Sequence, residues 1–567
     1  MNHISEQAHN CDSSGSTELE PVDILVIGGG VNGLAIAREA IVRGWSTAVV
    51  DADDFAAGTS ATSSRLIHGG IRYLENLEFA LVRESLRERE RLLQTAGHLV
   101  RPFPLLIPFY RHNRRRGIIL RLGMLLYDIL SFDKTTPPHR VLNKKQAEQE
   151  YPGLETAGLY GATVYYDAQV ADAERLCIEQ AIDVVALGGH ANNHQRVVGI
   201  ETAPGGLHVH LIDTVNDRRL ARTASVVVNA AGPWVDIVLG LAEEHPKRLI
   251  GGTKGSHITV GPFRGAPTTG VHFEAISDGR AILVLPLPDG NYLIGATDIF
   301  FEGDPAAAVT SDAEIDYLLT EACRLIPAAN LTKDDVIHSV SGVRPLPYTP
   351  TAKSAAQVSR DHHLIAHPSI ANLFSVSGGK LTTHRALGEM VMTRLEKARS
   401  IPSNVSRKFG PSPRRAGTRG LKLPGARTAR IEQFATDFLA RTAFGEAVAR
   451  RLVRLYGVRA DSVETLALEN AEFAATLPGH ADVLVAEVIL AIREEFAQTV
   501  VDVLARRLLL VWRDDAGLEA LDTVARISAK ELGWTAERQQ QEIDNYRQWI
   551  QLRRPRFAVS QSQDSAA

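Results

Sequence analysis

Residues Val22 to Asp51 read VDILVIGGGVNGLAIAREAIVRGWSTAVVD, and this stretch decides the fold. The apolar run Val22 to Ile27 has the length and composition of a buried parallel strand. It runs straight into Gly28, Gly30 and Gly33, spaced as GxGxxG, and then into an Ala/Ile/Leu-rich helical pattern. A second apolar run, Ser46 to Val50, ends at Asp51. Strand, glycine turn, helix, strand and acid in that order make a dinucleotide-binding βαβ unit. Gly28 permits the tight turn, Gly30 lets the backbone approach a pyrophosphate, and Gly33 lets helix and strand pack closely. The helix start offers N–H groups and the positive end of its dipole to phosphate. Asp51 is placed to accept a hydrogen bond from a ribose 2′-hydroxyl, and an acid there disfavours a 2′-phosphate.

At 567 residues the chain is too long for one core, so two or three domains are expected. A hydrophobic content of 44% and a charged content of 23% are ordinary for a globular protein, and transmembrane runs are lacking. The net charge of −4 gives no reason to expect a nucleic-acid partner; any basic site must be local. Cys11, Cys177 and Cys323 form neither a disulfide framework nor a metal cluster by spacing, so no metal is expected and a reducing compartment is. Nothing at the N-terminus reads as a secretory signal. Residues 1–20 and 558–567 are polar and read as disordered tails.

More strands must complete the sheet. Ala224 to Ala230 is an apolar candidate ending in Ala230, Ala231 and Gly232, small residues that let a cofactor pass the strand's C-terminal end. A charged helical stretch, about Leu77 to Thr95, opens an inserted region reaching about Ala168. From Lys247 to Thr297 strand-like runs recur, and AILVLPLPDGNYLIGATD reads as a hairpin turning at Pro288 to Asn291. Glycine returns in SVSGGKLTTHRALGEM, where Gly378 and Gly379 precede Lys380, Thr382 and Thr383 at the start of a helical pattern. Residues 401–425 shift to Pro, Gly, Ser and Arg and read as a linker, and 426–557 carry helical periodicity without clear strands. The expected architecture is α/β. A Rossmann-like cofactor domain and an antiparallel β-sheet substrate domain interleave over 21–400, the substrate part mainly about 75–220 and 245–350. A helical C-terminal domain follows.

The segments IGGGVNGLAIAREA, TSATSSRLIHGGIRYLE, GPWVD, KGSHITV, TDIFFEGDP, SGVRPL and SGGKLTTHR occur in this order. In that order they resemble the aerobic, FAD-dependent glycerol-3-phosphate dehydrogenases. The resemblance implies oxidation of sn-glycerol 3-phosphate to dihydroxyacetone phosphate, with hydride passing from C2 to flavin N5 and electrons on to ubiquinone or menaquinone. It implies noncovalent FAD held by Gly28, Gly30, Asn32, Gly33, Asp51, Thr59, Ser60, Ser63, Ser64, His68, Gly69, Gly70, Ala231, Gly232, Gly378, Gly379, Lys380, Leu381 and Thr382. For the substrate it implies Arg72, Tyr73, Arg360 and Lys380, the cations suiting a phosphate. Arg344 and His257 are the implied catalytic pair. Arginine is a poor proton acceptor and histidine an easier one, and the sequence leaves open which handles the hydroxyl proton. Two departures stand out: Arg65 where relatives often have Lys, and His384 where Tyr is common.

The segment 112–131, HNRRRGIILRLGMLLYDILS, places Arg114, Arg115 and Arg116 before an apolar helical pattern too short to span a bilayer. It suits an interfacial helix on anionic lipid, and equally a core helix with a basic start. The need to reach a quinone favours a protein in the cytoplasm bound peripherally to the cytoplasmic membrane; a homodimer is expected by analogy. The competing functions are an O2-using glycerol-3-phosphate oxidase, an amine- or amino-acid-oxidising flavoprotein, and a flavin-binding redox sensor without catalysis.

Overall fold

The computed structural model of the chain describes residues 16–71, 74, 78–113, 117–351, 358, 361–398 and 417–554. The βαβ unit forms as its sequence dictates: strand Thr17–Ile27, helix Val31–Val42, strand Thr47–Val50. The two strands run parallel, Ile24 opposite Thr47 through Ile27 opposite Val50. The first strand starts at Thr17, inside the stretch expected as a tail, because Thr17 to Leu19 pair with Leu220 to Arg222.

Among the described residues this sheet has eight strands. Across its main path lie His363–Ala366, Leu373–Ser377, Arg218–Asn229, Thr17–Ile27, Thr47–Val50 and His190–Asn192. The strand expected at Ala224 to Ala230 is the end of the longer Arg218–Asn229. Helix Ala173–Ala186 crosses over to His190–Asn192 and buries Leu176, Ile178, Ala181 and Val184 in the same core as Ile36, Ala37 and Ala40. Residues 173–220, expected in the substrate part, therefore belong to the cofactor sheet. A parallel edge strand needs a helical crossover, and this segment supplies it.

The second sheet has ten described strands and is antiparallel except where Gly270–Glu274 runs parallel to Val100–Tyr110. The expected hairpin is present as Ala281–Pro286 and Tyr292–Gly295. Helix Asp312–Leu325 packs its Ile315, Leu318 and Ala322 with Ile258, Val284 and Ile294 of the sheet.

The C-terminal domain is helical, with one insertion where no strand was expected. Thr476–Leu477 and His480–Leu484 form a short hairpin about the Pro478-Gly479 turn, Gly479 lying at a φ of 73°. Of the expected linker, residues 401–416 fall outside the described set, and the rest is packed rather than loose. Thr418 donates through N and Oγ1 to Glu39 (2.9 and 2.6 Å), and the Gly425 N–H donates to Glu179 (2.6 Å). Buried carboxylates need such donors, and the glycine-rich backbone provides them.

Helix Gly117–Leu130 has two apolar faces. Leu120, Met124 and Tyr127 are buried against the core. Leu122, Leu125, Ile129 and the following Phe132, spaced by three and four residues, are 64%, 53%, 59% and 78% exposed. Arg114, Arg115 and Arg116 lie outside the described residues. No described helix is long and apolar enough to cross a membrane.

Candidate functional site

The nucleotide end is built from the glycine turn. Gly28 has a φ of 113°, and any Cβ there would collide with the Ala230 carbonyl; a Cβ on Gly33 would overlap the Gly28 carbonyl. A Cβ at Gly30, the helix N-cap, would press on Ser60 Oγ at 3.3 Å, whereas one at Gly232 would meet nothing, so Gly232 faces open space. The Val31 N–H donates to Ser60 Oγ (3.0 Å), so the serine, not a ligand, satisfies the first helical N–H. Asp51 accepts from the Gly29 N–H (2.5 Å) and the Asp53 N–H (3.0 Å). Burial pushes its carboxyl up to about 7 despite those donors. Ala231 donates its N–H to Asn229, and Trp234 lies against Gly58.

Asn32 touches Gly379, and its Oδ1 is buried without a hydrogen-bond partner among the described residues. A buried amide oxygen one residue into the helix after the glycine turn is what a cofactor's donor would complete, so the residues present fit a dinucleotide. The loop that follows knits this end to the second sheet. Thr59 donates to the Val343 carbonyl (2.7 Å), Ser63 accepts from the Arg65 N–H (3.2 Å), and Ser64 Oγ is 2.8 Å from His257 Nε2. The His68 N–H donates to Thr382 Oγ1 (3.0 Å); Gly69 donates to Tyr127 Oη (2.9 Å), itself bound to Asp167; Gly70 sits at a φ of 76°.

The sequence expects a helix to open at Lys380, and the structure corrects this. The helix is His384–Lys397, preceded by a turn over Leu381 to Thr383. Gly378 and Gly379 both have positive φ (76° and 95°), so neither belongs to a helix. Gly378 donates to the Pro345 carbonyl (2.7 Å), and the Leu381 carbonyl lies 2.7 Å from His384 Nδ1. Lys380 is half-buried, near enough to Glu84 and His362 for its charge to act on both. Arg72, Tyr73 and Arg360 lie outside the described residues.

The substrate end rests on two paired strands, Thr253–Val260 and Val336–Arg344. Their register sets His257 opposite Val340, Gly255 opposite Gly342 and Thr253 opposite Arg344. Side chains alternate along a strand, so these six positions share one face. Glycine in the middle leaves a bare floor. The Arg344 guanidinium lies over Gly255, where a Cβ would overlap it, and Thr62 lies over Gly342. Asp298 Oδ1 accepts from Arg344 Nη1 (2.9 Å) and the Thr297 carbonyl from Nη2 (3.1 Å).

His257 is buried, and burial, with Arg344 and Arg65 nearby, lowers its pKa to about 3. It is neutral at any ordinary pH, and its Nδ1 has no hydrogen-bond partner among the described residues. The other face of the first strand is structural: its Lys254 and Ser256, with Thr297 from the segment after Tyr292–Gly295, all engage Glu314. Asp298, Thr297 and the Gly255–Gly342 floor were not singled out by the sequence. TDIFFEGDP and the facing glycines of KGSH and SGVR were their signal.

The family model described as FAD dependent oxidoreductase matches residues 23–394, and that described as C-terminal domain of alpha-glycerophosphate oxidase matches 416–539. A Synechocystis protein named glycerol-3-phosphate dehydrogenase is 40% identical over 548 residues, 93% of this chain and 96% of that protein. A Brucella abortus protein named D-erythritol 1-phosphate dehydrogenase is 35% identical, with 86% and 94% covered. The structure of the Bacillus halodurans glycerol-3-phosphate dehydrogenase complexed with FAD is similar at a TM-score of 0.74 and 27% identity, covering 94% of this chain and 95% of that one.

Proposed function

We infer the reaction from one premise: the chain belongs to the FAD-dependent oxidoreductases and, within them, to the glycerol-3-phosphate dehydrogenase family. It is an enzyme whose substrate on this reading is sn-glycerol 3-phosphate, oxidised at C2 to dihydroxyacetone phosphate. Bound FAD supplies the hydride acceptor. The observation that carries the reading is that His257 and Arg344 share one face of two glycine-floored strands, tied through Ser64 and Thr62 to the cofactor loop.

Arg344 stays cationic and, fixed by Asp298 and Thr297, stabilises negative charge growing on the C2 oxygen. His257 accepts the hydroxyl proton. It is a weak base, which suffices because a hydroxyl whose carbon is losing a hydride becomes strongly acidic. Lys380, together with Arg72, Tyr73 and Arg360, is assigned to the phosphate. The electron acceptor on this reading is a membrane quinone, and the exposed row Leu122, Leu125, Ile129 and Phe132 is the side that meets the lipid surface. The Brucella relative supports a second reading, a longer phosphorylated polyol in the same pocket.

Anaerobic mixing of the flavoprotein with glycerol 3-phosphate tests this. Bleaching of the flavin spectrum is expected with glycerol 3-phosphate and not with sarcosine or D-amino acids. Faster bleaching by erythritol phosphate moves the assignment to the second reading; no bleaching by either phosphoester overturns both.

A further inference from the structure

The helical domain grips the cofactor loop at both ends. Residues 51–65 run from Asp51, at the end of the second parallel strand, to Arg65, beside the serine that holds His257. At the first end Asp54 is fully buried. Its carboxylate receives a fork from Arg507 (2.6 and 2.8 Å) and Nε of Arg506 (2.6 Å), both on the π-helical turn Asp502–Arg507. Beside it the Phe55 ring meets Phe496 edge-on, centroids 5.4 Å apart. Phe55 in turn occupies the space a Cβ on Gly29 would need, so Phe496 bears through it on the glycine turn.

At the far end the Arg65 guanidinium lies 4.3 Å over Trp512. It also forks onto Glu174 (2.8 and 2.5 Å) and reaches the Ala61 carbonyl (3.2 Å). Arg65 has a φ of 56°, a conformation that an L-residue keeps when its surroundings impose it. Between these two anchors lie Thr59, Ser60 and Ser64, whose contacts define the cofactor site. The nearby Asp53, His194 and Asp502 have the spacing of a cation site, but Arg506 Nη2 sits 2.6 Å from Asp502 and already supplies the positive charge.

We propose that the helical C-terminal domain clamps loop 51–65 in its FAD-binding shape, with Arg507, Phe496 and Trp512 as positioning residues. A loop fixed before the ligand arrives spares the ligand the cost of ordering it. The coupling is reciprocal: what the domain does for FAD binding, FAD does for docking of the domain.

Titration of the full-length apoprotein with FAD, followed by flavin fluorescence, tests the proposal without any substrate, so its failure is distinct from failure of the reaction assigned above. Arg507→Leu, Phe496→Leu and Trp512→Leu are expected to weaken FAD binding by about tenfold or more. Trp512→Phe, which keeps a ring under Arg65, is expected to retain most of the affinity. Arg526→Ala, on the same domain in an exposed pair with Glu472, is expected to change nothing. In the parent protein FAD is expected to slow amide hydrogen exchange over residues 495–512. Should Arg507→Leu fail to fold, the two apolar variants decide. Folded Phe496→Leu and Trp512→Leu proteins that bind FAD like the parent, with lowered thermal midpoints, would reduce these contacts to general stability and overturn the proposal.

Discussion

Arg344 can lie flat across its neighbouring strand because Gly255 has no side chain. The Asp298 carboxylate and the Thr297 carbonyl then hold its guanidinium from one side. Gly255→Ala puts a methyl group into the guanidinium. A displacement of that size at a reacting centre costs about a hundredfold in rate, so kcat/KM is expected to fall about that much. Flavin content should stay at the parental level, since Gly255 lies on the substrate strand. Parental kcat/KM in this variant would remove Arg344 from the chemistry. The sequence offered Arg344 and His257 by motif, but not their partners, because the partner of a side chain across a sheet is set by register. Asp298 and Ser64 stand 46 and 193 residues from the groups they bind.

Helix Gly117–Leu130 shows what one element adds. Its sequence is apolar on nearly every side, so periodicity left core helix and interfacial helix equally open. Packing divides the two faces: Leu120, Met124 and Tyr127 go inward, and Leu122, Leu125 and Ile129 stay out. Replacing the outer three by serine is expected to leave folding stability within about 0.5 kcal/mol per site, since they bury little. The same change should abolish sedimentation with anionic vesicles at low salt, because each buried side chain of this size contributes about 1.5–3 kcal/mol. Met124→Ala should do the reverse, destabilising by about 2–5 kcal/mol with vesicle binding kept. A triple serine variant that sediments like the parent would remove this helix from the lipid contact.

Across the whole molecule, buried histidines set the acid limit. Burial lowers His98 to about 4, His257 to about 3 and His384 to about 4, against about 6.5 in an unfolded chain. Between those values the unfolded chain binds more protons, so stability rises with pH there and is lost on acidification. His194 runs the other way. Burial alone would lower it, but Asp502 at 2.9 Å raises it to about 9, so its contribution is full below about 6.5, falls as pH rises from there to 9, and is gone above 9. The thermal midpoint is therefore expected to fall by several degrees from pH 6.5 to 4 and, through His194, to decline between about pH 6.5 and 9. A flat profile from 6.5 to 4 would mean that these histidines are not buried neutral. The sequence alone determined the cofactor fold, because strand, glycine turn, helix and acid are adjacent in the chain and each obeys a local steric or hydrogen-bonding demand. It also determined the family, through motifs of the same kind. Only the tertiary structure decided where residues 173–220 belong, what the stretch after residue 416 packs against, and that the helical domain closes on loop 51–65. Those outcomes depend on which distant surfaces bury one another, and Asp54 meets Arg507 across 453 residues of chain that no local pattern connects.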